Sequence, residues 1–207
     1  MNIIREWDYD ENNPPNKIVS ADKPLSLEIG CGNGLFLSTI ASLHPQESFV
    51  GLEVKHKCLT AAQKKCERLV KENKITEGNV ILLNGDVFTA LDKFFEPHSL
   101  ERIYINFPDP WFKKRHLKKR IVNPDMAVKY AELLKPNGKL YFVTDNEDYR
   151  DYAVDVLHNC AAFSSEFDSP YYVTELDWYP QSLYEKKWRE EGRGIYYSGW
   201  GRIIHNA

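Results

Sequence analysis

The four cysteines of this 207-residue chain, Cys31, Cys58, Cys66 and Cys160, include no Cys-x-x-Cys pair. Each lies in an apolar stretch where a buried free thiol is the ordinary role, so neither a disulfide framework nor a metal site is expected. A reducing, cytoplasmic compartment suits such cysteines best. No apolar run approaches the roughly 18 residues of a membrane span, so no membrane is expected as a partner. Met1 to Glu11 is polar and acidic, unlike a secretory signal. Internal repeats and low-complexity tracts are absent. Hydrophobic residues at 43% and charged residues at 28% exclude wholesale disorder and supply a core.

The length suits one domain, since domains run to about 100–200 residues. Asp10 to Pro24 is rich in Asn, Pro and Lys. Residues 1–24 therefore read as a flexible lead-in, and 25–207 as a single domain. The net charge of −3 is unevenly spread. Lys113, Lys114, Arg115, Lys118, Lys119 and Arg120 give one ten-residue window six positive charges and no acid, leaving the rest at −9. A basic patch on an acidic body can bind phosphate while the body repels wrong contacts.

From Leu25 onward the pattern alternates. Leu25 to Gly30, Ser48 to Val54, Asn79 to Leu83, Arg102 to Phe107 and Lys139 to Thr144 read as strands. Asn33 to Leu43, Lys55 to Asn73, Pro124 to Leu134 and Asp148 to Ala162 read as helices, the fifth strand being set off from the third helix by a Lys135-Pro136-Asn137-Gly138 stop. This predicts an α/β sandwich with a mostly parallel sheet. Tyr171 to Trp178 and Ile195 to Ile204 are aromatic and β-prone, and are expected to close the sheet as an antiparallel pair. A polar helical stretch around Tyr184 to Glu191 separates them.

Three acidic positions stand at strand ends. Glu28-Ile29-Gly30-Cys31-Gly32-Asn33-Gly34 follows the first strand and opens a helix. Small residues there let backbone approach a ligand, and the helix N-terminus offers free N–H groups. Glu53 ends the next strand, where a carboxylate can accept both hydroxyls of a ribose. Asp86 ends the third, where an acceptor can read an adenine amino group. Taken singly, these features are also an ordinary turn and solvated strand ends; their succession points to a cofactor. The pattern resembles the class I S-adenosylmethionine-dependent methyltransferases over about Leu25 to Thr144. That resemblance implies a Rossmann-like, seven-stranded, mostly parallel sheet with an antiparallel C-terminal strand.

The fourth strand closes on Asn106-Phe107-Pro108-Asp109-Pro110-Trp111. Two prolines fix the backbone, so Asp109 is held rather than mobile. Trp111 reads either as a wall or stacking plate or as a core tryptophan behind a rigid turn. The basic cluster follows directly, and its place favours a nucleic-acid patch over a solvated face. A second set, Lys57, Lys64, Arg68 and Lys71, reads as a solvated helix face.

The run PDPWFKKRHLKKR is similar to the signature of the tRNA (guanine-N7-)-methyltransferase family. The order of EIGCGNG, GLEV, GDVF, FVTDNEDY and SLYEKKWREEGRGIYY agrees, so the resemblance covers about Leu25 to Arg202. It implies transfer of a methyl group from S-adenosyl-L-methionine to N7 of a guanine in tRNA, in the variable loop. Nothing in the sequence calls for a protein partner. Glu28, Glu53, Asp86 and Asp109 match the family's cofactor-binding acids, with Gly30, Gly32 and Gly34 in the glycine turn. Asp109 also matches its catalytic position. Lys113 and Asp145 match substrate-contacting positions. Where the family commonly reads Thr-x-Tyr/Phe-Glu, this chain has Ser182-Leu183-Tyr184-Glu185, so Ser182 keeps the hydroxyl and loses a methyl. Phe112 stands where members vary. Lys114, Arg115, Lys118, Lys119 and Arg120 are expected on the RNA backbone.

Guanine N7 bears a lone pair and no proton. Its methylation needs no base at the attacking atom, so Asp109 reads as a positioning and electrostatic residue. Asp145 and Glu185 are expected to accept from guanine N1–H and the 2-amino group, and Ser182 to hold the target nucleotide. Three rivals fit less well. Amino-group methylating enzymes often carry consecutive prolines, which Asp109 splits here. A pure RNA-binding module has no use for the acids, and a small-molecule transferase has none for the cluster.

Overall fold

The computed structural model describes residues 1, 3–6, 18 and 23–203. Most of the expected lead-in, and Ile204, lie outside them. The strands are β1 (Ile3–Arg5), β2 (Leu25–Ile29), β3 (Ser48–Glu53), β4 (Val80–Asn84), β5 (Leu100–Asn106), β6 (Leu134–Thr144), β7 (Phe163–Ser165) and β8 (Tyr196–Arg202). The helices are α1 (Leu35–Leu43), α2 (His56–Lys71), α3 (Val87–Phe94), α4 (Pro124–Leu133), α5 (Glu147–His158) and α6 (Leu183–Glu190), with a 3₁₀ helix at Lys114–Lys119.

The strands form one sheet in the order β1-β4-β3-β2-β5-β6-β8-β7. Pairing is parallel from β1 through β6, and β8 runs antiparallel to both β6 and β7. Every residue of β2 is buried, as a central parallel strand covered on both faces requires. Leu25, Leu27 and Ile29 face one core, shared with α3, α4 and α5 through Leu91, Phe94, Tyr130, Tyr149 and Leu157. The opposite face packs on α1 and α2 through Phe36, Leu37, Ile40, Leu59 and Cys66. Side chains alternate across a strand, so a continuous apolar run feeds both layers. Asn123, Asn146 and Ser182 cap α4, α5 and α6, each accepting a hydrogen bond from the third backbone N–H onward, the usual remedy for orphan donors.

Three expectations are corrected. The sheet has eight strands rather than seven, because Ile3–Arg5, from within the lead-in, pairs with β4. Tyr171–Trp178 is not a strand; it holds one bridge, Val173 to Tyr197, and Phe163–Ser165 pairs with β8 instead. Beyond the two backbone bonds of that bridge, the segment is held by its rings. Trp178 and Tyr179 pack on Tyr141, and Tyr179 also meets Phe36, Tyr104 and Tyr197. Finally, Lys135-Pro136-Asn137-Gly138 does not separate helix from strand. β6 already pairs at Leu134 with Leu100, and the register shifts before Lys139 pairs with Arg102. The turn residues are absorbed as a bulge, with Asn137 at φ 62°.

Candidate active site

The carboxyl ends of β2, β3, β4 and β5 open on a cleft of about 600 Å³. This is where open α/β sheets bind ligands. Gly30 and Gly32 line it, at φ 75° and 53°, conformations that favour glycine. A Cβ on Gly30 would meet nothing within 4 Å, so bare backbone faces the cleft. Gly34 has a different role. A Cβ there would stand 2.6 Å from Ala62 Cβ, so this glycine lets the start of α1 lie against α2.

Glu53 projects from the end of β3 onto the cleft wall. Its Oε2 accepts from the Gly32 N–H at 3.1 Å and its Oε1 from the Lys55 N–H at 2.8 Å. The glycine turn and the carboxylate are thus one unit. Asp86 lines the same cleft and caps α3, accepting from the Phe88 N–H.

Glu28 does not reach the wall. It lies beneath the cleft, 3% exposed, and its Oε1 accepts from Asn106 Nδ2 at 3.1 Å. Oε2 is buried with no hydrogen bond among the described residues. Burial pushes this carboxyl up to about 7, against the opposing pull of Asn106 and the Leu37 backbone N–H. Asn106 lines the cleft, and its Oδ1 accepts from the Tyr179 hydroxyl at 2.8 Å. The buried acid therefore orients an amide that faces the ligand space.

Asp109 is exposed between Pro108 and Pro110. Phe107 and Trp111, on either side of this Pro-Asp-Pro, have φ 50° and 47°. Bulky residues in the left-handed region cost on the order of 1–3 kcal/mol each and cluster at functional sites. Asp109 borders both the large cleft and a second cavity of about 290 Å³. Phe107, Pro108 and Tyr184 share that position, while Asp145, Trp188 and Arg193 line only the second. Asp145 Oδ2 accepts from Arg193 Nη1 at 2.8 Å. The Arg193 guanidinium lies 3.7 Å from the centre of the Trp188 ring.

Lys113 is exposed at the N-cap of the 3₁₀ helix and lines neither cavity. Ser182 and Glu185 also stay outside both. The Ser182 hydroxyl accepts from the Glu185 N–H to cap α6. Glu185 is 2% exposed, and its Oε1 accepts from the Tyr197 hydroxyl at 2.6 Å and Arg189 Nε at 3.0 Å. The arrangement commits both residues to holding α6, whose Tyr184 and Trp188 form the cavity wall.

Within the basic cluster Arg115 and Lys118 are exposed, and Lys119 Nζ lies 4.8 Å over the Trp111 ring, at the cleft. The Lys114 side chain lies outside the described residues. Arg120 is a correction. It is 6% exposed; its Nε donates to Pro110 O at 2.9 Å, and its guanidinium lies 4.6 Å from the ring centres of Tyr149 and Tyr152. It braces the Pro-Asp-Pro loop from inside, with its side chain turned away from solvent. Sequence reasoning missed Asn106, Tyr184, Trp188 and Arg193 as site residues. All four stood inside the runs INFPDPW and SLYEKKWREEGRGIYY.

The family profile described as "Putative methyltransferase" matches residues 22–198. Among solved structures, 16S rRNA methyltransferase KamB superposes with a TM-score of 0.65 at 9% identity, covering 91% of this chain and 96% of that one. A 16S rRNA (adenine(1408)-N(1))-methyltransferase from Catenulisporales acidiphilia, solved with its cosubstrate, gives 0.60 at 14% identity over 90% and 89%. Fold and cleft together define a class I S-adenosyl-L-methionine-dependent methyltransferase. The residues fit that cofactor. The cleft lies within the usual size range for small ligands, bare glycine backbone faces it, and Glu53 stands preorganised on its wall. A tRNA (guanine-N(7)-)-methyltransferase of Bacillus subtilis (strain 168) is 33% identical over 87% of this chain and 82% of its own length. The enzyme of the same name from Lactobacillus acidophilus is 32% identical over 89% and 85%. The chain belongs to the tRNA (guanine-N(7)-)-methyltransferase family. Among the described residues no helix is long and apolar enough to cross a membrane.

Proposed function

We propose that the enzyme methylates N7 of a guanine in the variable loop of tRNA, forming 7-methylguanosine in the cytoplasm. The observation that carries this reading is the placement of Asp109 at the junction of two cavities, one of cofactor size and one of base size. S-adenosyl-L-methionine supplies an electrophilic sulfonium methyl when bound. Glu53 would hold the ribose hydroxyls, Asp86 would accept from the adenine amino group, and Asn106, oriented by Glu28, would offer polar contact toward the cleft. The second cavity would receive an unstacked base, which suits a loop nucleotide rather than a helix interior. Its Phe107, Tyr184 and Trp188 offer aromatic faces, and Asp145 would accept from guanine N1–H and the 2-amino group.

N7 has no proton to lose, so the chemical demand on the protein is alignment. Holding two reactants in line can supply on the order of 7–11 kcal/mol. The fixed Asp109 carboxylate would favour the positive charge that spreads over the purine. Lys113, Arg115, Lys118 and Lys119 would contact the RNA backbone. Incubation with bulk tRNA and methyl-labelled cofactor, followed by digestion to nucleosides, tests the reading. Label in 7-methylguanosine is the expected result; label in another nucleoside, or none, overturns it.

A further inference from the structure

β1 reaches the cofactor end of the sheet. It pairs with β4 as far as Arg5 opposite Asn84, and the next residue, Glu6, is 8% exposed. Glu6 Oε2 accepts from the Asp86 backbone N–H at 2.7 Å. Oε1 accepts from the Thr89 hydroxyl at 2.5 Å and from Lys93 Nζ at 2.8 Å. A Cβ on Gly85 would stand 2.6 Å from Oε2, so the glycine between Asn84 and Asp86 is what admits the carboxylate. Burial opposes ionisation of Glu6, but the hydrogen bonds from Lys93, Thr89 and the Asp86 N–H outweigh it and hold the carboxyl below its usual range. This segment precedes the 22–198 span shared with the family.

We propose that Glu6 is a positioning residue for the cofactor: it grips the turn from Asn84 to Asp86 from behind, so that the Asp86 carboxylate stands fixed on the cleft wall. The physical argument is preorganisation. Asp86 is useful to a ligand only while its backbone is fixed, and its own amide is fixed by a carboxylate 80 residues earlier. The same carboxylate reaches Thr89 and Lys93 on the first and second turns of α3. The N-terminal strand is thereby a working part of the cofactor site. This rests on reading Asp86 as a cofactor contact.

The test is calorimetric binding of S-adenosyl-L-methionine to the full chain and to Glu6→Ala, Glu6→Gln, Lys93→Met and Asp86→Ala variants, with urea unfolding and single-turnover rates alongside. Glu6→Ala is expected to weaken binding about tenfold, the scale of one lost charge-assisted contact, with the rate at saturating cofactor within about twofold. Glu6→Gln keeps an acceptor for the Asp86 N–H and is expected to recover most of the affinity. Lys93→Met removes the ion pair and leaves the Glu6 bond to the Asp86 N–H in place; it should lower stability and leave binding nearly unchanged. The double variant Glu6→Ala/Asp86→Ala should bind no more weakly than Asp86→Ala. If Asp86→Ala weakens binding and Glu6→Ala does not, the positioning role is wrong. It is equally wrong if Lys93→Met reproduces the binding loss of Glu6→Ala, since the carboxylate then matters only to folding. Unchanged binding in Asp86→Ala refutes the reading of Asp86 instead.

Discussion

Replacing Arg120 separates two roles that its sequence context confuses. As a phosphate contact it would contribute charge to RNA binding and little to folding. As an internal brace it does the reverse. Its Nε–H donates to Pro110 O at 2.9 Å, a charge-assisted bond of about 1.5–3 kcal/mol. Its guanidinium also lies 4.6 Å from two tyrosine ring centres, each contact contributing about 0.5–2 kcal/mol according to desolvation. Arg120→Ala removes all three and opens a void beside Tyr149, so a loss of about 3–5 kcal/mol is expected. With a urea m-value of about 2–3 kcal/mol/M for a chain of this size, the midpoint should fall by roughly 1–2.5 M. Arg120→Lys keeps the charge but not the planar stack, and should recover only part of the loss. Below the unfolding transition, the variant's tRNA affinity should keep the parent's dependence on salt. A stable Arg120→Ala protein whose log–log salt slope drops by about 0.7–0.9, with Arg120→Lys restoring it, would refute the brace.

Asp109→Asn keeps the shape of the side chain and removes its charge; the single-turnover rate should fall roughly 10²–10³-fold while tRNA affinity stays near the parent's, and an unchanged rate sinks the electrostatic role. Arg115→Ala and Lys118→Ala, both exposed, should each lower the salt slope of tRNA binding by about 0.7–0.9 without moving the urea midpoint; an undisturbed slope makes the face merely solvated. Glu28, raised to about 7 from an ordinary 4.5, binds its proton more tightly folded than unfolded. Stability should therefore fall as pH rises from about 4.5 to 7, by roughly 2–4 kcal/mol. Glu28→Gln should flatten that decline in urea unfolding at pH 5 and pH 8, and an equal decline in both proteins contradicts a buried neutral carboxyl.

What the sequence made legible was local chemistry. Apolar runs capped by glycine or an acid mark strand ends, and strand ends set the cleft; Gly30, Glu53, Asp86 and Asp109 all follow from reading along the chain, and all line it. Glu28 carries the same residue type at the same kind of position, yet lies under the floor. Its register partners are Gly51 and Tyr104, and only pairing across the sheet shows that it faces the α1 layer. Asn106 was overlooked because its role comes from Glu28 and Tyr179, which are distant in sequence. The segment 171–178 has β-prone residues, but its rings pack on neighbouring aromatics while its backbone makes only the Val173–Tyr197 bridge among the described residues.

The basic cluster shows how a period decides function among identical residue types. Counted as charge, Lys113 to Arg120 is one patch. The structure folds 114–119 as a 3₁₀ helix, in which residues three apart eclipse. Arg115 and Lys118 share the outward side and are exposed. His116 and Lys119 share a second side, and both meet Trp111 at the cleft edge. Continuing the count, Leu117 and Arg120 fall on the third side, and of these Arg120 is buried. The Arg120 N–H donates to Leu117 O, and extended geometry at Arg120 (φ −62°, ψ 128°) then turns its side chain under the Pro-Asp-Pro loop. A charge run thus divides into an exposed face, a cleft rim and a brace. A stretch of α-helix through the same residues, with its period of 3.6, would not divide them this way.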